Sequence, residues 1–250
     1  MQYILVDIAE REHFYPFTLT QSLATCRVGI FTFKERWEQY TNETCGVYTA
    51  PYLQALYEDS EFLSSTESLY FMNVACIPTE SLLKAINGLD EGEKLMTAGG
   101  KWIATKTKER QISKILLAEK PPIVFEEVTL VLNQLQLLSI HPKLIERDFK
   151  WVASQRKSEP IDPSNNVINK DHIFIEKGAT VLCANLNASD GFIYIGNESV
   201  IMEGTSIRGS FVLGKKGVVK MNTSIYGSTS IGPYCLACVF EVTGGFFTAG

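Results

Sequence analysis

The feature that most constrains this chain is a six-residue period in its last third. Ile195, Ile201, Ile207, Leu213, Val219, Ile225 and Ile231 follow one another at steps of six, all aliphatic and without an error of phase. Neither an α-helix, with its period of 3.6, nor an isolated strand, with its period of 2, produces such spacing. A second lattice runs four residues behind: Ser199, Thr205, Phe211, Gly217, Thr223, Thr229 and Cys235, all small except Phe211. A third has three times the period, at Gly196, Gly214 and Gly232. One geometry accounts for all three: each hexapeptide is a short strand plus a tight corner, and three of them close one triangular coil. The aliphatic residue then points inward at the same place in every coil. Small residues keep the corners tight, and glycine at the eighteen-residue spacing suggests backbone angles that larger residues resist.

Ile175 and Val181 extend the six-residue step upstream, with Ala179 as the small corner. From Val181 to Ile195 the chain has two residues more than two hexads, which places a small loop near Asn187–Gly191. The solenoid is expected to start near Ile168 or Ile173. Left-handed coiling departs from the usual hand of parallel crossovers and is assigned from the similarity of the repeats to hexapeptide-repeat proteins.

A net charge of −5, with no block of Lys or Arg, argues against a nucleic-acid partner. No apolar run approaches a membrane span, and Tyr3–Ile8 is too short and lacks the basic flank of a secretory signal. The six scattered cysteines fit reduced thiols and a cytoplasmic address. Cys235 and Cys238 make one C-x-x-C pair without a second, so zinc binding or redox use is the weaker reading.

Upstream, strands and helices alternate, which predicts an α/β domain with a mainly parallel sheet. Tyr3–Ile8, Val47–Ala50 and Leu69–Ala75 read as strands. Residues 32–40 read as a helix with Ile30, Phe33, Trp37 and Tyr40 on one face, opened by a Thr32/Glu35 capping box. Thr79 caps a second helix carrying Leu82, Leu83 and Ile86. Leu95–Ala98 and Lys101–Ala104 flank Gly99-Gly100 as a hairpin. Ile112–Leu117 and Thr129–Leu138 are read as helical. The polar, proline-containing stretch 156–166 is the expected linker, giving an α/β domain over 1–155 and a β-helix over 167–250.

Chemical motifs are sparse. Gly99-Gly100-Lys101 lacks phosphate-loop spacing and is better read as the hairpin turn. Of the three histidines, His13, His141 and His172, none falls inside the regular coils, and no G-x-S-x-G elbow occurs. Arg27 stands just before Gly29 and the 32–40 helix, where it could either bind phosphate with the helix N-terminus or make a structural ion pair.

Two stretches carry a family resemblance. YPFTLTQSLATCRVGIFTFKERWEQY (15–40) is similar to a pattern of the form LPFTxTRPVADxRxGIxTxxEKW. SQRKSEPIDPSNNVINKDHIFIEKGA (154–179), LNASDGFIYIG (186–196) and the repeats after them fit the same family. It is a sugar nucleotidyltransferase group resembling the bifunctional UDP-N-acetylglucosamine pyrophosphorylase/glucosamine-1-phosphate acetyltransferase, whose members are often called glucose-1-phosphate thymidylyltransferase-like. The resemblance implies an α/β domain that joins a sugar 1-phosphate to a nucleoside triphosphate with Mg²⁺ and releases pyrophosphate. It also implies a homotrimer assembled through the β-helix. Matching positions are Pro16, Thr18, Thr20, Arg27, Gly29 and Asn73, with Arg27 first for phosphate and Asn73 for sugar or base. Asp7 is the carboxylate nearest the end of the first strand and the nominee for Mg²⁺.

The chain departs from the pattern in four places, one of them the A-D-x-R element, which reads Ala24-Thr25-Cys26-Arg27 and loses a carboxylate while keeping the Arg. Thr20-Gln21-Ser22 replaces the family's Thr-Arg-Pro and removes a phosphate-binding cation. The glycine-rich loop of ordinary nucleotidyltransferases is missing from DIAEREHFYP (7–16). The repeats run in register to Ile231-Gly232 and give way to CLACVFEVTGGFFTAG, which reads as a shortened tail that either folds back as a cap or leaves a sticky edge beside Val239, Phe240, Phe246 and Phe247. With the coils that carry the family's catalytic histidine missing, acetyl-CoA and acyl transfer are not expected. Two functions stay open: a sugar-1-phosphate nucleotidyltransferase, and a non-catalytic paralogue acting only as a β-helix assembly module.

Overall fold

The computed structural model describes residues 2–7, 11–57, 66–116, 120–238 and 241–247. Ile8, Leu117, Val239 and Phe240, which carried expectations above, lie outside the described residues. The chain divides into two compact units: residues 1–26 with 32–136, and residues 27–31 with 137–250.

The first unit is built on a six-stranded sheet. Its strands are β1 (Tyr3–Val6), β2 (Gly46–Tyr48), β3 (Leu69–Asn73), β4 (Lys94–Met96), β5 (Trp102–Thr107) and β6 (Ile123–Val124), in the spatial order β2-β1-β3-β5-β4-β6. The β1–β2, β1–β3 and β4–β6 pairs are parallel, and β5 runs antiparallel to β3 and β4. β1 is apolar throughout (YILV) and buried at every position, as a central strand covered on both faces must be. α1 (Phe33–Thr41) opens with the Thr32/Glu35 capping box and buries Phe33 and Trp37. α2 (Glu80–Asn87) is capped by Thr79 and buries Leu82 and Ile86. The Gly99-Gly100 hairpin is wider than a two-residue turn: Thr97 and Lys101 pair across it and Gly100 adopts φ +75. Ile112–Leu116 is helical.

The expectation for Thr129–Leu138 needs correction. Thr129–Leu130 is a strand antiparallel to Cys76–Ile77, and α3 then runs from Gln134 to Gln155. Leu137, His141, Leu144, Ile145, Asp148, Phe149 and Val152 are its buried positions, at steps of one, three and four. Pro142 inside the helix and two polar members on the buried face hid this stripe from a reading of hydrophobicity alone.

The second unit is a parallel β-solenoid of about four turns with the architecture of a left-handed β-helix. Three inward stacks fill it: Ile175, Ile195, Leu213 and Ile231; Val181, Ile201, Val219 and Ala237; Leu186, Ile207 and Ile225. The seven aliphatics of the sequence lattice are each 0–1% exposed. The two extra residues are taken up at 188–192, between the strands Asn185–Asn187 and Ile193–Ile195. The polar stretch before the coils is held onto the first one: Ser158 Oγ accepts from Ile175 N, Glu159 N donates to Ile175 O, and Asn165 bonds Val181 and Ala184. At the other end, Glu241–Phe247 lies parallel to Ser224–Ile231 and adds a further rung.

The eighteen-residue glycines serve a purpose different from the expected one. Gly196 and Gly214 do not have positive φ; the left-handed corner is taken two residues later, by Glu198, Lys216 and Tyr234 at φ +56, +55 and +60. Glycine is needed because the backbones touch. A Cβ on Gly214 would stand 2.4 Å from Pro233 N, and one on Gly196 would stand 2.6 Å from Leu213 O. Gly214→Ala is therefore expected to cost about 3 kcal/mol, since neither neighbour is a movable side chain. Gly100→Ala, strained in φ but meeting nothing within 4 Å, should cost only about 1 kcal/mol. Parallel thermal melts of the two variants check the difference.

α3 from Leu137 onward packs on one outer face of the solenoid. Ile145, Phe149 and Val152 join Phe174, Tyr194 and Val212, together with Ile30 and Phe31.

Candidate active site

In open α/β sheets a ligand site forms beyond the carboxyl ends of the strands, where successive connections leave to opposite sides. β1 is such a point, because β2 lies on one side of it and β3 on the other. At that end three polar residues stand on three adjacent parallel strands. Asp7 follows β1, Thr49 follows β2, and Asn73 closes β3 in register with Val6. Each is only 2% exposed. Burying polar groups costs free energy unless they are bonded, so the partners of these groups decide what the end of the sheet can do.

Most of them hold one loop. Asp7 Oδ2 accepts from Leu23 N at 2.8 Å. Arg11, 5% exposed, donates through Nη2 to Thr18 O and to Tyr52 Oη at 3.0 Å, and through Nη1 to Thr49 Oγ1 at 3.4 Å. The Thr18 hydroxyl donates back to Arg11 O. Tyr52 Oη donates to Leu19 O at 2.9 Å, and Ser22 N donates to Tyr57 Oη at 2.5 Å. Residues 18–23 are thus pinned at both ends over the strand terminus by a carboxylate, a guanidinium and two phenols. Two buried atoms in this set have no hydrogen-bond partner among the described residues: Asp7 Oδ1 and Arg11 Nε. One is an acceptor bearing negative charge and the other a donor bearing positive charge, which suits a ligand that brings anionic oxygens together with a cation.

Thr18 is fully buried within the set, and Thr20 sits on the exposed end of the 17–19 turn. The side-chain amide of Asn73 donates to Trp102 O at 3.1 Å and accepts from Ala75 N at 2.9 Å, tying β3 to β5 and shaping the turn that follows. Asp7, Thr18 and Asn73 lie in the first unit, while Arg27 belongs to the second. There Arg27 donates to Ile30 O and contributes to the field at Tyr194, whose phenol is raised by burial and then by Glu176. Gly29 is required in that unit as well: its φ is +76, and a Cβ would stand 2.6 Å from Asp148 Oδ2, which accepts from Ile30 N at 3.0 Å. His141, the one buried histidine, bonds Ser230 Oγ at 2.8 Å in the same unit, and Ser230 donates to Gly29 O.

Reading the sequence missed Arg11, Thr49, Tyr52 and Tyr57. The available signal was position: Arg11 follows β1, and the other three follow β2. Burial, and then the Asp7 charge, push the Cys26 thiol up to about 12, which disfavours the thiolate. Among the described residues no group of three or more His, Cys, Asp or Glu forms a metal cluster. Magnesium in phosphoryl-transfer sites uses one or two carboxylates plus substrate phosphates and water, and the unpartnered Asp7 Oδ1 fits that need. No helix among the described residues is long and apolar enough to cross a membrane.

Residues 3–157 match the family model described as sugar nucleotidyl transferase. No curated protein matches the chain.

Proposed function

The chain belongs to the sugar nucleotidyl transferase family, and we propose that the carboxyl end of β1 is where it joins a nucleoside triphosphate to a sugar 1-phosphate. The observation that carries this reading is the pair of buried, unpartnered atoms at that end, Asp7 Oδ1 and Arg11 Nε. Arg11 would receive the phosphate oxygens, fixed in place by Thr18, Thr49 and Tyr52, and Asp7 would hold Mg²⁺. When bound, the metal would neutralise charge on the phosphate oxygens. In the reaction a sugar-phosphate oxygen forms a bond to the α-phosphorus, the α–β bridging bond breaks, and pyrophosphate leaves with the electron pair. The protein's part is placement and charge. The 18–23 loop, with Thr18 fixed inside it and Thr20 on its exposed side, orients the phosphates, and Arg11 supplies a cation in place of the family pattern's arginine, which this chain replaces with Gln21. Asn73 shapes the neighbouring wall. Arg27, in the second unit, remains a phosphate candidate by family position.

The chain works in nucleotide-sugar biosynthesis under this reading, in the cytoplasm and as a homotrimer through its solenoid, without acyl transfer. The catalytic part is taken as 1–155 and the assembly part as 167–250, although residues 27–31 and 137–155 of the former belong to the same compact unit as the solenoid. The non-catalytic alternative is favoured by one observation: the nitrogens at the end of the Arg11 guanidinium are already bonded to the protein's own atoms. Pyrophosphate release from each of the common nucleoside triphosphates, with glucose 1-phosphate or N-acetylglucosamine 1-phosphate and Mg²⁺, decides between them. Release with one pair is the expected result and names the substrates. Silence with every pair, from protein shown to be folded, would leave the assembly module.

A further inference from the structure

Resting on the nucleotidyltransferase reading, we propose that Tyr52 is the stacking platform for the nucleobase of the triphosphate. Tyr52 lies in the short turn Pro51–Gln54 that follows β2, with Pro51 at its first helical position. Tyr52 is 63% exposed although its polar end is held. The hydroxyl donates to Leu19 O at 2.9 Å and accepts from Arg11 Nη2 at 3.0 Å. The Arg11 guanidinium lies over the ring, 5.4 Å from its centroid. The ring is therefore fixed at its tip and backed by a cation on one face, while solvent reaches much of the rest.

A fixed flat surface loses little rotamer freedom when a ligand lands on it, which is what makes a stacking platform effective. Every base offers a π-face, so such a platform binds bases of different kinds by stacking alone. The cation behind the ring connects the two halves of the ligand. A base on Tyr52 places the attached phosphates beside the guanidinium that backs the ring. Leu19, 47% exposed and bonded through its carbonyl to the Tyr52 hydroxyl, supplies an apolar flank. A merely structural Tyr52 would need only its hydroxyl, whereas a platform needs the ring.

The test compares the wild-type chain with Tyr52→Phe and Tyr52→Leu. Calorimetric affinities are measured with Mg²⁺ for nucleoside triphosphates, for inorganic tripolyphosphate and for glucose 1-phosphate. Both variants lose the hydrogen bond from Arg11 to the Tyr52 hydroxyl, so the platform is read from the difference between them: Tyr52→Leu is expected to bind nucleoside triphosphates about tenfold more weakly than Tyr52→Phe, and the two to bind tripolyphosphate alike. Tyr52→Phe, which keeps the ring and loses both hydrogen bonds, should lose no more affinity for nucleotide than it loses for tripolyphosphate. Equal weakening of nucleotide and tripolyphosphate binding in Tyr52→Leu relative to Tyr52→Phe would overturn the proposal and leave Tyr52 only a positioning residue for Arg11. Weakening confined to the sugar phosphate, or unaltered nucleotide affinity, would overturn it as well. A wild-type chain that binds neither nucleotide nor tripolyphosphate would refute the nucleotidyltransferase reading itself, and the platform with it.

Discussion

Ile207→Asp is expected to unfold the solenoid. Ile207 is 1% exposed and stacks between Leu186 and Ile225 on one wall of the coil. The substitution removes about 1.5–3 kcal/mol of apolar burial. It also places a carboxylate where none of the inward stacks offers it a polar partner, which costs several kcal/mol more. Single domains are stable by roughly 5–15 kcal/mol, so the sum is comparable with the whole. Because coils are stabilised mainly by their neighbours, a defect in the middle of the stack weakens those above and below it. Arg208, the next residue, points outward and pairs with the exposed Asp190 at 2.9 Å; Arg208→Ala should cost at most about 1 kcal/mol. Thermal melts followed by circular dichroism compare the two. Equal melting of both variants would contradict the inward register at Ile207.

Asp7→Asn is expected to reduce pyrophosphate release about 10²–10³-fold while the protein stays folded. The magnitude is that of removing one preorganised electrostatic group from a site where charge develops. The fold should survive because an asparagine oxygen can still accept the Leu23 N–H that Asp7 Oδ2 accepts now. What is lost is the charge, and with it the carboxylate oxygen that has no hydrogen-bond partner among the described residues. Turnover measured against Mg²⁺ concentration should also show a higher metal requirement. If Asp7→Asn kept full turnover, Asp7 would have no part in the reaction and its role would be confined to holding the 18–23 loop.

The two halves of the molecule were unequally legible. In the solenoid every coil repeats one local rule, so a period of six contains the register of each inward residue, and even the two-residue excess before Ile195 shows as a break in phase. The capping residues Thr32 and Thr79 were readable for the same reason, since a cap depends on residues only three positions away. α3 was not readable, because two of its buried positions, His141 and Asp148, are polar and are buried only by partners distant in sequence. His141 meets Ser230, and Asp148 meets Ile30 and Gly29. Gly29 stood in the family-like motif, yet the residue that forbids a side chain there is more than a hundred positions away.

By itself the sequence determined the α/β class of the first part, the coil geometry of the second, and the family pattern at 15–40. Those depend on periods, caps and short spacings that act within a few residues. Tertiary structure alone decided which polar groups meet at the end of β1. Arg11, Thr49 and Tyr52 are separated by up to 41 positions, and they converge because β2 pairs with β1 in parallel register. It also decided why Gly196 and Gly214 must be glycines. The spacing marked the positions, but the reason is the approach of one coil's backbone to the next, which exists only once the coils are stacked.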